Sequence, residues 1–292
     1  KKIALVRKQV VEHYQKYPHK HAQILNREDV TGDYLRDCKD LHQGYLFENT
    51  RDCRYVYIGL DTKDCMDLSS FGWGELMYED ASSIEHNRTA FCTSTINIQD
   101  CMYVFLCNNS NHLFGCAGLN RQEYCILNKK YSKEAYEELV PKIIEHMRST
   151  GEWGEFFPPS LSPFGYNETV ASEYYPYTKE EVISRGWNWK DDDPSEFKQQ
   201  TYQVPDHIQD VSDDIIEAVL ACEVTGRNFR ITKQELQFYR SMSIPTPKRH
   251  HITRHLDRLA QKNPWQTWKR QCAKCAKEVE TTFAAERPEK VF

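Results

Sequence analysis

The stretch ENTRDCRYVYIGLDTKDCMDLSSFG, residues 48–72, states one phrase twice. Asn49-x-x-Asp52-Cys53 is followed by Asp61-x-x-Asp64-Cys65, and each Cys leads into an apolar stretch. Asp37-Cys38 precedes the pair and Asp100-Cys101 comes later. Eight cysteines lie between Cys38 and Cys125, separated in turn by 15, 12, 27, 9, 6, 9 and 9 residues. Every separation is a multiple of three. Zinc sites use pairs two to four residues apart, so this is not ligand spacing. It suits a parallel β-solenoid (β-helix), with a short strand on each side of a rung and a polar residue at each corner. Asp and Asn supply corner geometry through side-chain-to-backbone hydrogen bonds. Cys is small and apolar enough to stack inside a narrow coil. Strand alternation then predicts Cys101, Tyr103, Phe105 and Cys107 on one face and Met102, Val104 and Leu106 on the other. Both faces are apolar, so the outer one is expected to be covered by a helix or a partner.

Two other chemistries compete for these residues. A reactive thiol needs a cationic neighbour, and His112 near Cys116 is the pair that suggests one, though nothing in the sequence brings them together. A solenoid could also cleave glycans through exposed carboxylates such as Asp61, Asp64 and Asp67. Their three-residue spacing alternates strand faces, and corner duty explains them better. No catalytic motif is present, so no catalytic residue is assigned.

The 292-residue chain is 39% apolar and 28% charged, which supports a packed core. No apolar run approaches the roughly 20 residues that span a bilayer. Eleven cysteines in a chain of this length without a signal peptide point to reduced thiols and a cytoplasmic protein. Ile3, Val6, Val10 and Tyr14 predict an N-terminal helix within residues 1–25, and the solenoid is assigned to 26–131. Tyr136, Leu139, Val140, Ile143, Ile144 and Met147 form one stripe of a capping helix at 132–150, with Ser132 as N-cap, Gly151 past its end and a kink at Pro141. Residues 151–211 read as a loop-rich connector with one capped helix, from Thr178-x-x-Glu181 to Gly186. A basic module fills 212–292, where the Thr232-x-x-Glu235 box opens a helix and Ile252, Leu256 and Leu259 mark another. From Cys222 to Phe292 there are 15 Lys and Arg against 7 Asp and Glu, and the first 221 residues hold 23 against 36. That asymmetry points to a polyanion partner for the tail, or to a tail that docks on the chain's own acidic half.

The motifs CEVTGRNF, ELQFY and PTPKRHHITR together resemble an uncharacterised zinc-ribbon family patterned C-x-x-C-G-x-x-F, E-x-x-F-Y and P-x-R-C-x-x-C-R. Cys222, Gly226, Phe229, Glu235, Phe238, Tyr239, Arg249 and Arg254 match it. The resemblance puts its four ligand positions on Cys222, Thr225, His250 and Thr253. Threonine lacks the thiolate or imidazole zinc prefers, so Cys222 and His250 are the weaker metal candidates. Cys272-Ala-Lys-Cys275 is a second knuckle, expected to supply half of a zinc site completed by a later one. His251 and His255 read as surface residues. The whole chain also resembles Cys-rich proteins of uncultivated small-genome bacteria. Its VTGDYLRDCKDL, YCILNKKYSKEAYEELVPKIIEHM, GEWGEFFP and SPFGYNET segments carry that likeness, which implies an architecture and no activity.

The expected protein is therefore a mainly β solenoid with flanking helices and a small α+β zinc-ribbon-like tail. Its expected role is non-enzymatic, with the tail contacting RNA or DNA through Arg249, Arg254, Lys269, Arg270 and Lys274 and stacking on Trp265 and Trp268. A structural protein that self-associates or docks through an apolar solenoid face is the alternative, and a solenoid glycan hydrolase or lyase a third. One zinc ion is the expected cofactor, and no membrane partner is expected.

Overall fold

The computed structural model describes residues 2–292, apart from the side chains of residues 2–4 and 7, so the Ile3 position of the first helical stripe lies outside the described residues. Helix α1 (Lys2–Tyr14) and the short strand β1 (Pro18–His19) lead into β2 (Ile24–Glu48), β3 (Arg51–Tyr78), β4 (Ala81–Ala90), β5 (Ile96–Met102), β6 (Asn108–Phe114), β7 (Glu123–Ile126) and β8 (Lys129–Lys130). From β2 to β7 the pairing is parallel, and each partner lies twelve residues on: Lys39 pairs with Arg51, Ser69 with Ala81, Ile84 with Ile96 and Asn111 with Glu123. One turn of the coil is twelve residues. Within a turn every third residue has a left-handed backbone, as at Asp52, Tyr55, Ile58, Asp61 and Asp64 with φ between 52° and 57°. Four corners per turn follow, and the structure is a parallel β-solenoid.

The residue after each corner points inward. Cys53, Val56, Thr62, Cys65 and Leu68 are all buried. An Asp-Cys pair is therefore a corner followed by a core position, which answers why it recurs. The inward period is three, and this corrects the expected alternation. Cys101, Val104 and Cys107 face inward together, while Tyr103 sits on a corner and Phe105 and Leu106 are exposed. A left-handed residue at every third position turns the chain before a second pleat can form, so the two-residue repeat of a strand never develops.

All eight solenoid cysteines do the same local work. Each Sγ–H donates to the carbonyl two residues back, from 2.9 Å (Cys65 to Lys63) to 3.5 Å (Cys125 to Glu123). Thr50, Ser83 and Ser110 make the same bond with hydroxyls. The inward position thus wants a small side chain with one hydrogen to give. Burial raises the pKa of the Cys92 thiol and pushes Cys101 up to about 12, so both stay protonated. The cysteines are unpaired.

Inward side chains stack in columns twelve residues apart, and each column must fit its own sizes. Gly59 lies between Phe47 and Phe71, and a Cβ there would come 2.7 Å from the Phe47 ring and 2.5 Å from the Phe71 carbonyl. One stretch of the interior is polar. Asp80 accepts the Cys92 N–H (2.8 Å) and the Thr89 hydroxyl, and it faces His86 Nδ1 at 3.1 Å. His86 Nε2 is 2.9 Å from the Thr95 hydroxyl, which reaches Ser83 at 3.0 Å. This Asp–His–Thr line has the order of a catalytic relay. The His86 and Asp80 side chains are fully enclosed, and no substrate can reach them. It is a satisfied polar plug.

Strand β8 folds back antiparallel on β7 and ends the coil. Helix α2 (Lys133–Thr150) follows, with Ser132 accepting from the Ala135 N–H and Gly151 at φ 76° closing it; Pro141 lies within its length. Tyr136, Leu139, Val140, Ile143, Ile144 and Met147 pack with Phe91, Tyr103, Phe114 and Ile126, so the helix covers an outer face of the solenoid.

The chain forms two compact units, residues 1–161 with 264–292, and residues 162–263. The second holds α3 (Ala171–Tyr174), α4 (Lys179–Ser184), the hairpin β9 (Leu220–Ala221) and β10 (Asn228–Phe229), α5 (Lys233–Ser241) and α6 (His251–Leu259). Its core is Ile208, Val211, Ile215, Leu220, Ile231 and Leu236. The capping boxes of Thr178–Glu181 and Thr232–Glu235 both form. From Pro264 the chain belongs to the first unit, with the hairpin β11 (Trp268–Gln271) and β12 (Glu278–Thr281) and the strand β13 (Lys290–Val291). β13 pairs with β1, and Thr282 donates to Asp33 at 2.7 Å. The segment 212–292 is thus divided at Pro264, because its last strand is tied to the start of the solenoid.

These contacts predict that denatured, unreduced protein exposes every thiol to a thiol reagent. Cys101→Ala should lose about 1 kcal/mol through a cavity and a freed carbonyl. Cys101→Ser should fold, because the hydroxyl can make the same bond, and Cys101→Asp should unfold by burying a charge. Urea melts of the three variants check the order.

Candidate functional site

Two knuckles share one backbone plan. In the second unit, Cys222 N–H donates to the Arg227 carbonyl and Gly226 N–H to the Cys222 carbonyl, both at 2.9 Å. In the first unit, Cys272 N–H donates to the Lys277 carbonyl at 2.8 Å and Ala276 N–H to the Cys272 carbonyl at 2.9 Å. Gly226 and Ala276 both have positive φ, 74° and 58°. The sequence gives little notice of this likeness, since Ala276 stands where a glycine is expected.

The first knuckle gathers the four positions marked by the resemblance. The Cys222 sulfur is 3.4 Å from the Thr253 hydroxyl. Burial alone would raise its pKa, but hydrogen bonds from the Thr225 and Thr253 hydroxyls and the Thr225 and His250 N–H groups pull it down to about 6. His250 caps α6, its Nδ1 accepting from the Ile252 N–H at 3.2 Å. Its proton therefore sits on Nε2, and burial lowers the ring's pKa further, so it is neutral. The donor set is one thiolate, one imidazole and two hydroxyls, which does not fit a structural zinc ion. At the second knuckle Cys272 is buried and Cys275 exposed. The N–H groups of Lys274 and Cys275 lower the Cys272 pKa, which favours its thiolate. Among the described residues no three His, Cys, Asp or Glu side chains converge as metal ligands.

Beside the first knuckle lies a cleft of about 720 Å³ within the second unit. Each of its carboxylates has a partner: Glu196 pairs with Arg227 (2.6 Å), Glu168 pairs with Lys190 (3.1 Å), and Glu173 meets His255 Nε2 (2.9 Å). Lys198, Arg230 and His251 line the same cleft with no ion-pair partner among the described residues, together with buried His250 and the ring of Phe229. The start of α6, with its partly positive end, faces the same space. What the pairing leaves over is cationic.

The residues expected to meet nucleic acid are scattered and mostly engaged. Arg249 is held by Glu223 (2.7 Å) and Asp257 (2.8 Å), and Lys269 by Glu278 (2.9 Å). Arg270 donates to the Glu289 carbonyl at 2.9 Å. Trp265 packs on Tyr57 with centroids 5.4 Å apart, and Trp268 starts β11. Arg249 and Arg254 belong to the second unit, and the two tryptophans, Lys269, Arg270 and Lys274 to the first. His255 holds Glu173, and His112 stacks on Tyr124 rather than meeting Cys116. Asp61, Asp64 and Asp67 occupy three successive corners, so they turn away from one another. Lys198 and Arg230 carried no motif; their place in the cleft without an ion pair among the described residues singles them out.

No protein-family model matches the chain, and no curated protein does. Among solved structures, a Bacillus cereus protein described as a "putative acetyltransferase" aligns at 12% identity over 47% of this chain and 94% of its own. Its TM-score of 0.12 gives it no weight in assigning fold or function.

The Cys222 thiolate makes stability depend on pH. Its pKa is depressed in the folded chain, so its contribution is full above the unfolded thiol's range and is lost as pH falls toward about 6. Unfolding free energy should rise from pH 6 to pH 9, and Cys222→Ser should flatten that rise.

Proposed function

We propose that the protein is a non-enzymatic binder of single-stranded nucleic acid, with the backbone phosphate seated in the cleft of the second unit. The observation that carries this reading is the charge left after pairing: Lys198 and Arg230 have no carboxylate within ion-pair distance among the described residues, while Glu196 and Glu168 are held by Arg227 and Lys190 and Glu173 by the His255 ring. The neutral His250 offers Nε2–H as a donor, and the Phe229 and His251 rings offer stacking surfaces for a base. The solenoid is the rigid body, with its reactive groups buried. Arg249 is a structural residue in this reading, since it bridges two carboxylates. Lys274, at the second knuckle, is a secondary phosphate contact.

The test is fluorescence anisotropy of labelled RNA and DNA oligonucleotides with the whole chain across a salt series. Affinity should fall with salt by about 0.7 in log–log slope for each phosphate contact. Lys198→Glu with Arg230→Glu should weaken binding and reduce the slope by about 1.4. Arg249→Glu should lower the melting temperature and leave the slope nearly unchanged. A folded chain that binds no oligonucleotide at low salt would refute the reading.

We further propose that Cys272 and Cys275 are two of the four ligands of a zinc-ribbon-like site. Elemental analysis should find at most one zinc per chain, lost on Cys272→Ser and kept on Cys222→Ser. Zinc that follows Cys222 instead would reverse the assignment.

A further inference from the structure

Corners of this coil do not require glycine. Phe91, Tyr103 and Leu127 stand at φ 57°, 56° and 47° on one column of corners, each twelve residues from the next column position. Between Tyr103 and Leu127 that column holds Gly115, at φ 63°. What glycine supplies there is space. Phe91 and Tyr103 stack with centroids 4.6 Å apart and planes at 15°; the next position holds no ring, and the Leu127 side chain leans over Gly115, its Cδ2 3.0 Å from where a Cβ would stand. Leu127, beyond it, is 76% exposed.

The gap opens into an apolar groove of about 790 Å³, walled by Phe114, Ile126, Ile143, Met147, Phe157 and Pro158. That volume lies within the range of small-molecule sites. Its rim is acidic. Glu152 and Glu155 line the groove, and Glu79 lies near the Tyr103 hydroxyl. None of the three has an ion-pair partner among the described residues. Arg148 of α2 does not serve them, since it sits over Trp153 and pairs with Glu145.

We propose that this groove binds a small aromatic amine, its ring taking the place of the missing corner side chain against Tyr103 and its ammonium group facing Glu152 and Glu155. Ring on ring continues a stack the coil has already begun, and an ammonium group balances carboxylates that nothing else neutralises. The proposal is independent of the nucleic-acid reading, which concerns the other unit.

Calorimetric titration of the whole chain with 2-phenylethylamine, 2-phenylethanol and phenylacetate tests it. The amine should saturate one site, the alcohol should bind roughly five-fold more weakly, as expected for a solvent-facing charge pair, and the acid more weakly still. Glu155→Gln, a change at an exposed position, should erase the preference for amine over alcohol. Gly115→Phe would push the exposed Leu127 side chain aside and place a ring in the groove, and it should reduce amine binding at least about ten-fold while circular dichroism shows the chain still folded. Equal binding of amine and alcohol to the unaltered chain, amine binding that survives Gly115→Phe, or no binding of the amine at all would each overturn the proposal.

Discussion

A left-handed backbone at every third residue is the constraint on which the solenoid rests. For residues other than glycine that conformation is unfavourable, by roughly 1 kcal/mol or more at each position. The coil adopts it at corner after corner, with Asp, Tyr, Ile, Trp and Phe among the residues used. Three repeating interactions offset the strain. Parallel rungs bond to residues twelve apart. Inward Cys, Ser and Thr side chains satisfy the carbonyl two residues back. Corner side chains bond across rungs, as Asn49 does to Asp61 and Arg88 to Asp100. Because the repeat is three and the rung is twelve, a one-residue deletion inside the coil would move every later core residue onto a corner or a side. The fold tolerates changes of identity at the corners far better than changes of length.

That constraint was legible in the sequence where polar and apolar residues mark it, as at Asp52-Cys53 and Asp64-Cys65. It was hidden where they do not. Around Cys101 the corner is Tyr103 and the outward residue Phe105, so the segment looks uniformly apolar and a strand's period of two reads as plausibly as three. Asp80, Ser83, His86, Thr89, Cys92 and Thr95 follow the same three-residue spacing, yet polar side chains suggest surface, so the interior plug went unread. Helix α2, α4 and α5 were legible from their caps because the caps are local. The division at Pro264 was not, since it depends on β1 meeting β13 and Asp33 meeting Thr282 across most of the chain.

Charge shows the same limit in another form. The basic excess after Cys222 can be counted in the sequence, but its use depends on neighbours. Arg227, Arg240 and Lys248 reach back to Glu196, Asp213 and Asp206, all in the acidic stretch before the hairpin. Residues 162–263 hold thirteen Lys and Arg against sixteen Asp and Glu, so this unit as a whole is acidic. Part of the basic excess therefore serves the chain's own acids: after Cys222, the side chains of Arg227, Arg240, Lys248, Arg249, Lys269 and Arg287 pair with carboxylates. Among the described basic residues that form no ion pair, Lys198 and Arg230 line one cleft, and a local surplus of this kind, rather than net charge, sets the potential there.

The two knuckles share a backbone scaffold and differ in the side chains that surround their sulfurs. Each is closed by the same two backbone hydrogen bonds, and its shape does not wait on the side chains that follow. What must be answered at each is the charge of a thiolate. At Cys272 the N–H groups of Lys274 and Cys275 lower the thiol's pKa, and a second thiol stands beside it. At Cys222 two threonine hydroxyls and two backbone N–H groups surround the sulfur instead. Hydroxyls are poor ligands for zinc but good donors to an anion. Thr225 and Thr253 thus stabilise the Cys222 thiolate with hydrogen bonds. His250 caps α6 through Nδ1 and lines the cleft.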